Sequence, residues 1–193
     1  MLAAWRIAQT SGANAPGRQI AYYSLHMEGY YFPGERPWMD RWNVFRGITD
    51  YSGKRILELG CNMGLLSTHL LKDAGAAAAM AVDRNPKVLD AARMVNCAFN
   101  VEATLLVQDF DASEEWETKL AAFEPDIVFA LSVLNWVEDK QRFLKFLGRF
   151  PEVVFEGHEC FEWESRRLAS VGFTRVDRVG KSERNRYILH CRK

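Results

Sequence analysis

From residue 52 onward, the pattern of apolar and polar residues switches back and forth between two periodicities. Short apolar runs predict strands, at residues 55–59, 77–82, 103–107, 126–131, 152–155, 173–179 and 186–191. Apolar residues that recur every three or four positions predict helices, at residues 64–72, 86–97, 113–123, 139–150 and 160–171. Strands that alternate with helices form parallel sheets with crossover helices. We therefore predict an α/β fold, whose last two strands are close enough in the chain to pair as a hairpin.

The first fifty residues show neither periodicity for long. They are rich in tyrosine and tryptophan, and Pro33, Gly34 and Pro37 are expected to prevent regular secondary structure. We predict that residues 1–50 form an N-terminal extension with an aromatic lid, which either covers the open end of the sheet or fills a groove in the core. Residues 51–193 then form the main domain.

The formal net charge is zero, so there is no overall electrostatic attraction toward nucleic acid or a membrane surface. The C-terminal end departs from this balance, with seven basic and two acidic residues from 175 to 193. Such a stretch either meets a phosphate-bearing partner or forms a solvated strand face. Nucleic acid is therefore not the expected partner.

The four cysteines show neither Cys-x-x-Cys pairing nor the spacing of zinc ligands, and no metal site is predicted. No apolar run reaches the roughly 20 residues that a membrane-spanning helix needs, and no secretory signal pattern is present. The chain is therefore expected to be cytoplasmic. Its composition does not predict an oligomeric state.

The segment 56–66, Ile-Leu-Glu-Leu-Gly-Cys-Asn-Met-Gly-Leu-Leu, joins a predicted strand to a predicted helix. Gly60 permits a tight turn. Gly64 allows a ligand to lie against the helix N-terminus, where backbone N–H groups lack partners. This arrangement is typical of nucleotide-cofactor loops.

A dinucleotide-binding loop has the pattern Gly-x-Gly-x-x-Gly. Asn62 and Leu65 occupy two of its three glycine positions in this chain. A side chain at the middle position obstructs the close backbone approach of a pyrophosphate, so an NAD oxidoreductase is disfavoured.

The loop resembles motif I of the class I S-adenosylmethionine-dependent methyltransferases, in which an acid precedes three alternating glycines. Glu58, Gly60 and Gly64 match that motif, and Asn62 replaces its middle glycine. Asn adopts unusual backbone angles more readily than most residues. The resemblance covers residues 52–193 and implies a Rossmann-like fold with a mostly parallel seven-stranded sheet, a terminal antiparallel hairpin and helices on both faces. It also implies that the cofactor is S-adenosyl-L-methionine.

Acids at two further strand ends support a nucleoside ligand, because sheets of this type bind ligands beyond the carboxyl ends of their strands. Asp83 ends the second strand, about twenty residues after the loop, where an acid accepts hydrogen bonds from ribose hydroxyls. In the methyltransferases that the chain resembles, the acid at the position of Asp109 accepts a hydrogen bond from adenine, and Phe110 lies beside the ring. The residues expected to bind the cofactor are Glu58, Gly60, Asn62, Gly64, Asp83, Arg84, Asp109, Phe110 and Ser132.

The sequence after the fourth strand bears on the acceptor. Methyltransferases that act on exocyclic amines of bases place Asn/Asp-Pro-Pro-aromatic there, whereas this chain has Ser-Val-Leu-Asn-Trp at 132–136. The comparison argues against N-methylation of a base. Trp136 either walls the methyl-transfer pocket or belongs to the core.

The fifth strand ends in Phe-Glu-Gly-His at 155–158. Methyl transfer to a hydroxyl requires an aligned nucleophile and a base that removes its proton, and histidine is readily poised as a base near neutral pH. We predict that His158, assisted or oriented by Glu156, is that base; a structural role as a helix cap is the alternative. Gly157 indicates a backbone that turns closely past a ligand.

The N-terminal segment is expected to help bind the acceptor. Arg36 and Arg41 are near aromatic residues in the sequence, and guanidinium groups beside aromatic rings suit an anionic or sugar-like partner. Packing that stabilises the fold is the alternative for both. The residues predicted to contact the acceptor are Tyr31, Arg36, Trp38 and Trp136.

We therefore expect a methyltransferase that O-methylates a small-molecule or carbohydrate-like acceptor. The segments 131–136 and 155–158 also resemble a subgroup that acts on glycans, lipid-linked sugars or phosphate groups, and distantly the RNA 5′-phosphate-capping methyltransferases. Two alternatives stay open. One is an RNA methyltransferase, acting on a 5′-phosphate or on tRNA, that uses the basic C-terminal end. The other is a non-catalytic nucleotide-binding partner protein.

Overall fold

The structure is a computed structural model that describes residues 1–11, 20–27, 29–112 and 115–193. Its N-terminal part contains short strands between two helices. In chain order these elements are α1 (Leu2–Thr10), β1 (Ala21–Tyr23), β2 (Leu25–Met27), β3 (Tyr30–Phe32), β4 (Gly34–Arg36) and α2 (Trp38–Phe45).

The expectation that Pro33, Gly34 and Pro37 prevent regular structure is wrong. The two prolines stand between elements, Pro33 ahead of β4 and Pro37 at the start of α2. Gly34 belongs to β4, which pairs in parallel with β1. A Cβ atom at Gly34 would collide with the backbone of Tyr23, so the glycine permits this strand pairing.

Residues 51–193 alternate between strands and helices in the predicted order. In chain order these are β5 (Arg55–Leu59), α3 (Leu65–Asp73), β6 (Ala78–Asp83), α4 (Pro86–Phe99), β7 (Thr104–Val107), α5 (Trp116–Ala121), β8 (Ile127–Leu131), α6 (Lys140–Leu147), β9 (Glu152–Glu156), α7 (Phe161–Ser170), β10 (Arg175–Lys181) and β11 (Tyr187–Arg192). A 3₁₀ turn, Leu134–Trp136, follows β8. Helix α5 is shorter than predicted, and Ser113 and Glu114 at its predicted start lie outside the described residues.

The main sheet has the strand order β10-β11-β9-β8-β5-β6-β7. The five strands from β9 to β7 in this order pair in parallel, and β11 is antiparallel to both β9 and β10. The predicted mostly parallel sheet with its terminal antiparallel hairpin is confirmed. The strand order reverses between β5 and β8, and the crevice at such a reversal is where open α/β sheets bind ligands.

Successive residues of the central strands face opposite sides of the sheet and build two apolar layers. Ile56 and Phe129 pack with apolar residues of α1, α2, α3 and α4. Leu57 and Phe155 pack with those of α5, α6 and α7 on the other side. Helices therefore cover both faces, as predicted. In the part of the chain that the structure describes, no helix combines the length and the apolar character needed to cross a bilayer.

The N-terminal segment contributes to the first of these layers. Helix α1 packs along α4, where Asn85 Nδ2 donates a hydrogen bond to the Ser11 carbonyl oxygen at 2.9 Å. Trp38, Trp42 and Phe45 of α2 are buried against the sheet and α3. The segment therefore supplies core volume on this face.

A buried ion-pair network joins the N-terminal segment to the end of β9. Arg36 donates to Glu156 Oε1 at 3.0 Å and Arg41 donates to Glu156 Oε2 at 2.6 Å, and all three side chains are buried. Glu183, in the turn of the terminal hairpin, also pairs with both guanidinium groups. Burial by itself raises the pKa of Glu156, but Arg41 and Arg36 overcome that effect and lower the pKa to about 2. Two positive and two negative charges thus balance inside the fold.

We predict that Glu156→Gln lowers the free energy of unfolding at pH 7 by roughly 3–5 kcal/mol, because it leaves buried guanidinium charge uncompensated. The lowered pKa of Glu156 also determines how the free energy of unfolding changes with pH. The stabilisation from the ionised carboxylate is complete above the ordinary pKa of 4.5 and is lost as the pH falls toward about 2. Urea unfolding followed by circular dichroism between pH 7 and pH 3 measures both effects.

The matched control for this prediction is Glu102→Gln, which removes an exposed carboxylate. It should change the free energy of unfolding by less than about 0.5 kcal/mol. Equal stability losses for the two variants would contradict the assignment of the network as a stabilising unit.

Candidate functional site

A cavity of about 530 Å³ runs along the carboxyl ends of the strands from β9 to β7. Its volume is in the range of small-ligand and cofactor sites. The predicted site residues that line it are Gly60, Asn62, Asp83, Arg84, Asp109, Phe110, Ser132, Trp136 and His158. The predicted residues outside its lining are Tyr31, Arg36, Trp38, Glu58, Gly64 and Glu156.

The loop after β5 passes through left-handed backbone conformations at Gly60 (φ 73°) and Asn62 (φ 51°). A Cβ atom at Gly60 would collide with Val133, so this position requires glycine. Asn62 adopts the unusual backbone angle that Asn tolerates well. Its N–H group donates to Asp83 Oδ2 at 2.8 Å, which ties the loop to the end of β6.

The other N–H groups of this loop are also used within the protein. Those of Gly60 and Cys61 donate to the Val82 carbonyl oxygen at 2.8 and 2.9 Å. The N–H group of Met63 donates to a neighbouring side chain, and that of Gly64 donates to the Cys61 carbonyl oxygen. The N–H groups of residues 60–64 are therefore all used inside the protein. The loop shapes the cavity by its backbone path.

The side chain of Glu58, in β5, reaches the first turn of α3. Its Oε2 atom accepts hydrogen bonds from the N–H and hydroxyl groups of Ser67, at 3.0 and 2.6 Å. Burial raises the pKa of Glu58 to about 7, against the effect of these two hydrogen bonds. Dinucleotide folds bind a pyrophosphate at this helix terminus, and here the chain's own carboxyl group fills the position. The geometry disfavours NAD, and it corrects the prediction that Glu58 contacts the ligand.

Gly64 is the last residue before α3 and also has a left-handed backbone (φ 66°). A Cβ atom there would lie 3.2 Å from the Cβ atom of Ala92 in α4. The glycine therefore allows two helices to pack closely. The prediction that it makes room for a ligand is corrected.

Asp83, at the end of β6, and Asp109, after β7, are two of the carboxylates that line the cavity. Asp83 accepts a hydrogen bond from the Asn85 N–H group at 2.9 Å, and burial raises the pKa of Asp83 against the effect of its backbone hydrogen bonds. Asp109 accepts a hydrogen bond from the Asp111 N–H group at 3.1 Å, and the ring of Phe110 is adjacent. Because a carboxylate has about four acceptor positions, both groups keep capacity for the hydroxyl or amino groups of a ligand.

The residues that follow β8 form the middle of the cavity wall. Ser132 has a left-handed backbone (φ 60°). Its hydroxyl group donates to Glu156 Oε1 at 2.9 Å and accepts a hydrogen bond from Arg186 at 3.1 Å. Trp136 is 68% exposed and lines the cavity, so the alternative in which it belongs to the core is excluded.

The N-terminal residues predicted to contact the acceptor lie elsewhere. Arg36 is fully buried, and its guanidinium group donates hydrogen bonds to Glu156 and to other side chains around it. Trp38 is buried in the core. Tyr31 is 60% exposed and packs against His26, away from the cavity. The predictions for Arg36 and Trp38 are corrected, because ion pairing and core packing use these two side chains. The prediction for Tyr31 is corrected because its ring lies outside the cavity lining.

Glu156 does not form the predicted pair with His158. Its carboxylate oxygens accept hydrogen bonds from Arg36, Arg41 and Ser132. Within the described part of the chain, no hydrogen bond joins Glu156 to the imidazole of His158. The prediction that Glu156 orients His158 is corrected, whereas the charge of Glu156 does act on His158 and raises its pKa.

The backbone at His158 is held by the first turns of α7. Glu164 Oε1 accepts hydrogen bonds from the N–H groups of His158 and Glu159, at 3.0 and 3.1 Å. A Cβ atom at Gly157 would collide with the Glu164 carboxylate. The close approach predicted at Gly157 is therefore to Glu164, and not to a ligand.

The imidazole of His158 is half-buried in the cavity wall. Its Nδ1 atom is buried and has no hydrogen-bond partner among the described residues. Burial and then the positive charge of Arg186 lower the pKa of His158, against the charges of Glu156 and Glu159. The lowered pKa favours the neutral imidazole, which is the form that accepts a proton.

Sequence reasoning missed part of the cavity wall. The missed lining residues with polar side chains are Tyr22, Tyr23, Glu35, Asn85, Gln108, Asp111, Arg184 and Arg186. No individual residue of the N-terminal segment gave a signal beyond the aromatic lid predicted for residues 1–50, because the position of each side chain depends on how that segment packs. Arg184 and Arg186 did give one, since they belong to the basic excess near the C-terminal end and are two residues apart beside a predicted strand.

A family model described as "Methyltransferase domain" matches residues 56–151, which include the loop after β5 and the ends of β6, β7 and β8. This chain belongs to the class I S-adenosylmethionine-dependent methyltransferases. No curated protein matches it in a comparison of sequences.

Solved structures share the fold of this methyltransferase at low sequence identity. The N-terminal domain of EvdMO1, determined with S-adenosylhomocysteine bound, is 15% identical, with a TM-score of 0.66 over 88% of this chain and 90% of that one. A methyltransferase from Aquifex aeolicus is 16% identical, with a TM-score of 0.59 over 79% and 88%. An O-methyltransferase family protein from Burkholderia thailandensis is 12% identical, with a TM-score of 0.64 over 80% and 55%. The chain spans 43% of the longer EvdMO1 structure.

The cavity of this methyltransferase fits S-adenosylmethionine, the cofactor of its family. Asp83, Asp109 and Phe110 line one end of this cavity. The loop from Gly60 to Asn62 has no unpaired N–H group for a phosphate, which suits a cofactor that contains none.

We predict that Asp83→Ala weakens the binding of S-adenosylhomocysteine at least tenfold, because the variant loses both the ribose acceptor and the hydrogen bond that holds the loop at Asn62. Isothermal titration calorimetry measures the affinity. Asp90→Ala, on the exposed side of α4, is the matched control and should bind like the unchanged protein. Equal affinities for the two variants would show that the cofactor lies elsewhere.

Proposed function

We propose that this methyltransferase methylates a hydroxyl oxygen of a small-molecule or carbohydrate-like acceptor. The observation that carries the proposal is the neutral, half-buried imidazole of His158 on the cavity wall. A hydroxyl is a weak nucleophile that must lose its proton as it is alkylated, and a neutral imidazole is suited to receive it. The fold similarity to an O-methyltransferase family protein from Burkholderia thailandensis agrees with this proposal.

The cofactor side of the proposed site consists of the residues at the ends of β5, β6 and β7. In this proposal, Asp83 accepts hydrogen bonds from the ribose hydroxyls, Asp109 accepts one from the adenine amino group, and Phe110 packs beside the ring. Gly60, Asn62, Arg84 and Ser132 complete the wall. When bound, S-adenosylmethionine supplies an electrophilic methyl group, whose bond to sulfur breaks with the electron pair left on sulfur.

The acceptor side of the proposed site consists of His158 and Trp136. His158 takes the proton that the acceptor hydroxyl loses as its oxygen gains the methyl group. Glu164 is a positioning residue, because its carboxylate holds the backbone of His158 and Glu159. The exposed ring of Trp136 offers a flat apolar surface at the cavity mouth, which suits the face of a sugar or another ring.

The contacts of the basic C-terminal end weaken the RNA alternative. Arg175 and Arg192 both pair with Asp177, and Arg184 pairs with Glu35 at 3.1 Å. These guanidinium groups are therefore partly neutralised on the protein's own surface. An extended phosphate backbone needs several free cations in a row, so a small acceptor is the better-supported substrate.

We predict that His158→Ala lowers kcat by 10²- to 10⁴-fold, the usual contribution of a general base, and leaves the affinity for S-adenosylhomocysteine unchanged. Transfer from methyl-labelled S-adenosylmethionine to a panel of sugars, phenols and hydroxy acids identifies the acceptor for the assay. His26→Ala, at an exposed histidine of β2, is the control and should retain full activity. Undiminished turnover by His158→Ala would refute the proposed base, and methylation of amines alone would refute O-methylation.

The pH dependence of kcat tests the same role. Because burial lowers the pKa of His158 below the ordinary 6.5, activity should rise with pH through a value under 6.5 and then stay constant. His158→Ala should lack this acidic limb. An acidic limb of the same position and size in the variant would assign it to another group.

A further inference from the structure

Four arginines and three glutamates gather at the acceptor end of the cavity. Arg36 and Arg41 are balanced by Glu156 and Glu183. A third pair joins Arg184 to Glu35. The remaining arginine, Arg186, has no carboxylate within ion-pair distance among the described residues. Among these seven side chains one positive charge is in excess, and Arg186 carries it; the charge of Glu159, which acts on His158, offsets part of this excess.

The turn of the terminal hairpin holds Arg186 against the cavity. The Ser182 N–H group donates to the Arg186 carbonyl oxygen and the Asn185 N–H group donates to the Ser182 carbonyl oxygen, both at 2.8 Å. Arg186 Nη1 donates to the Ser132 hydroxyl at 3.1 Å, and its side chain lines the cavity beside His158. Among the residues that the structure describes, this one hydrogen bond orients the guanidinium group, and its other donors have no protein partner and are available to a ligand.

The excess charge has a physical consequence for the reaction. S-adenosylmethionine is itself a sulfonium cation, so a partly buried guanidinium group in the same cavity opposes it unless a negative charge lies between them. The carboxylates at the ends of β6 and β7 lie at the adenosine end of the proposed site. A negatively charged ligand at the acceptor end would supply compensating charge next to Arg186.

We propose that Arg186 binds an anionic group of the acceptor, a carboxylate or a phosphate, and so selects acidic hydroxylated substrates. This inference rests on the proposed function, because it assigns a substrate class to the same site. A guanidinium group presents two parallel N–H donors that match the two oxygens of a carboxylate or phosphate. Arg184 lies beside it and adds positive potential, although Glu35 offsets most of its charge.

The carboxylate of the cofactor's own methionyl group is the rival occupant for Arg186. The affinity of Arg186→Gln for S-adenosylhomocysteine distinguishes binding of the methionyl carboxylate from binding of the acceptor. If Arg186 held the methionyl carboxylate, then Arg186→Gln would weaken S-adenosylhomocysteine binding. If it holds the acceptor, that affinity is preserved and only the binding of a separate anion is lost.

The test is an anion titration of the protein saturated with S-adenosylhomocysteine. Inorganic phosphate and acetate are added separately at constant ionic strength, and the ring resonances of the four histidines are followed by NMR. A bound anion next to His158 stabilises the imidazolium form, so we expect saturable shifts of His158 and a rise in its pKa. Preferential binding of phosphate indicates phosphorylated acceptors, and preferential binding of acetate indicates carboxylic acids.

Arg186→Gln should weaken anion binding at least tenfold while changing the affinity for S-adenosylhomocysteine less than twofold. The matched control is Arg175→Gln, which removes an exposed guanidinium group of β10 outside the cavity and should behave like the unchanged protein. Equal anion binding in both variants, or a tenfold loss of S-adenosylhomocysteine affinity in Arg186→Gln, would overturn the proposal. Because no step of this test uses turnover, its result is independent of whether His158 is the base.

Discussion

The pairing of Arg36 and Arg41 with Glu156 is the interaction on which the rest of the site depends. It fixes Glu156 at the end of β9, and His158 is two residues further along the chain. It also anchors the segment that brings Tyr22 and Glu35 to the cavity. Removing one member of a buried ion pair costs far more than the intact pair contributes, because the remaining charge stays desolvated. The fold therefore tolerates this cluster only as a complete unit, and that requirement keeps the sheet end and the N-terminal segment in one arrangement.

The cavity is electrically asymmetric, and this asymmetry matches the two halves of the proposed reaction. Asp83, Asp109 and Asp111 outnumber Arg84 at the end next to β6 and β7. Arg184, Arg186 and His158 outnumber Glu35 at the end next to β9 and the terminal hairpin. Hydroxyl and amino groups of a nucleoside suit the acidic end, because they are hydrogen-bond donors. An acceptor that carries negative charge suits the other end. In the proposed reaction, the nucleoside and the acceptor would therefore bind at opposite ends of the same sheet edge.

The fold of residues 51–193 was predictable because its strands and helices bury regular apolar faces, and each central strand has the continuous apolar character of a strand covered on both sides. The strand-end residues Asp83, Asp109 and His158 were predictable for a related reason, since topology alone brings strand ends to one edge. The failures share a different cause. Glu58, Gly64, Arg36, Trp38 and Glu156 are the right residue types for a ligand site, but each is used by a contact that is distant in the chain or depends on packing. Composition and local spacing do not reveal such contacts.

The turn between β10 and β11 has a consequence for altering this enzyme. Glu183 faces the buried arginines, while Arg184 and Arg186 line the cavity, so side chains with separate tasks occupy adjacent positions in one short connection. A combinatorial library that randomises the whole turn would lose most members to misfolding through position 183. A library restricted to positions 184 and 186 would explore new selectivity on an intact scaffold, and transplanting the turn into a related enzyme would require a matching pair of arginines beneath it.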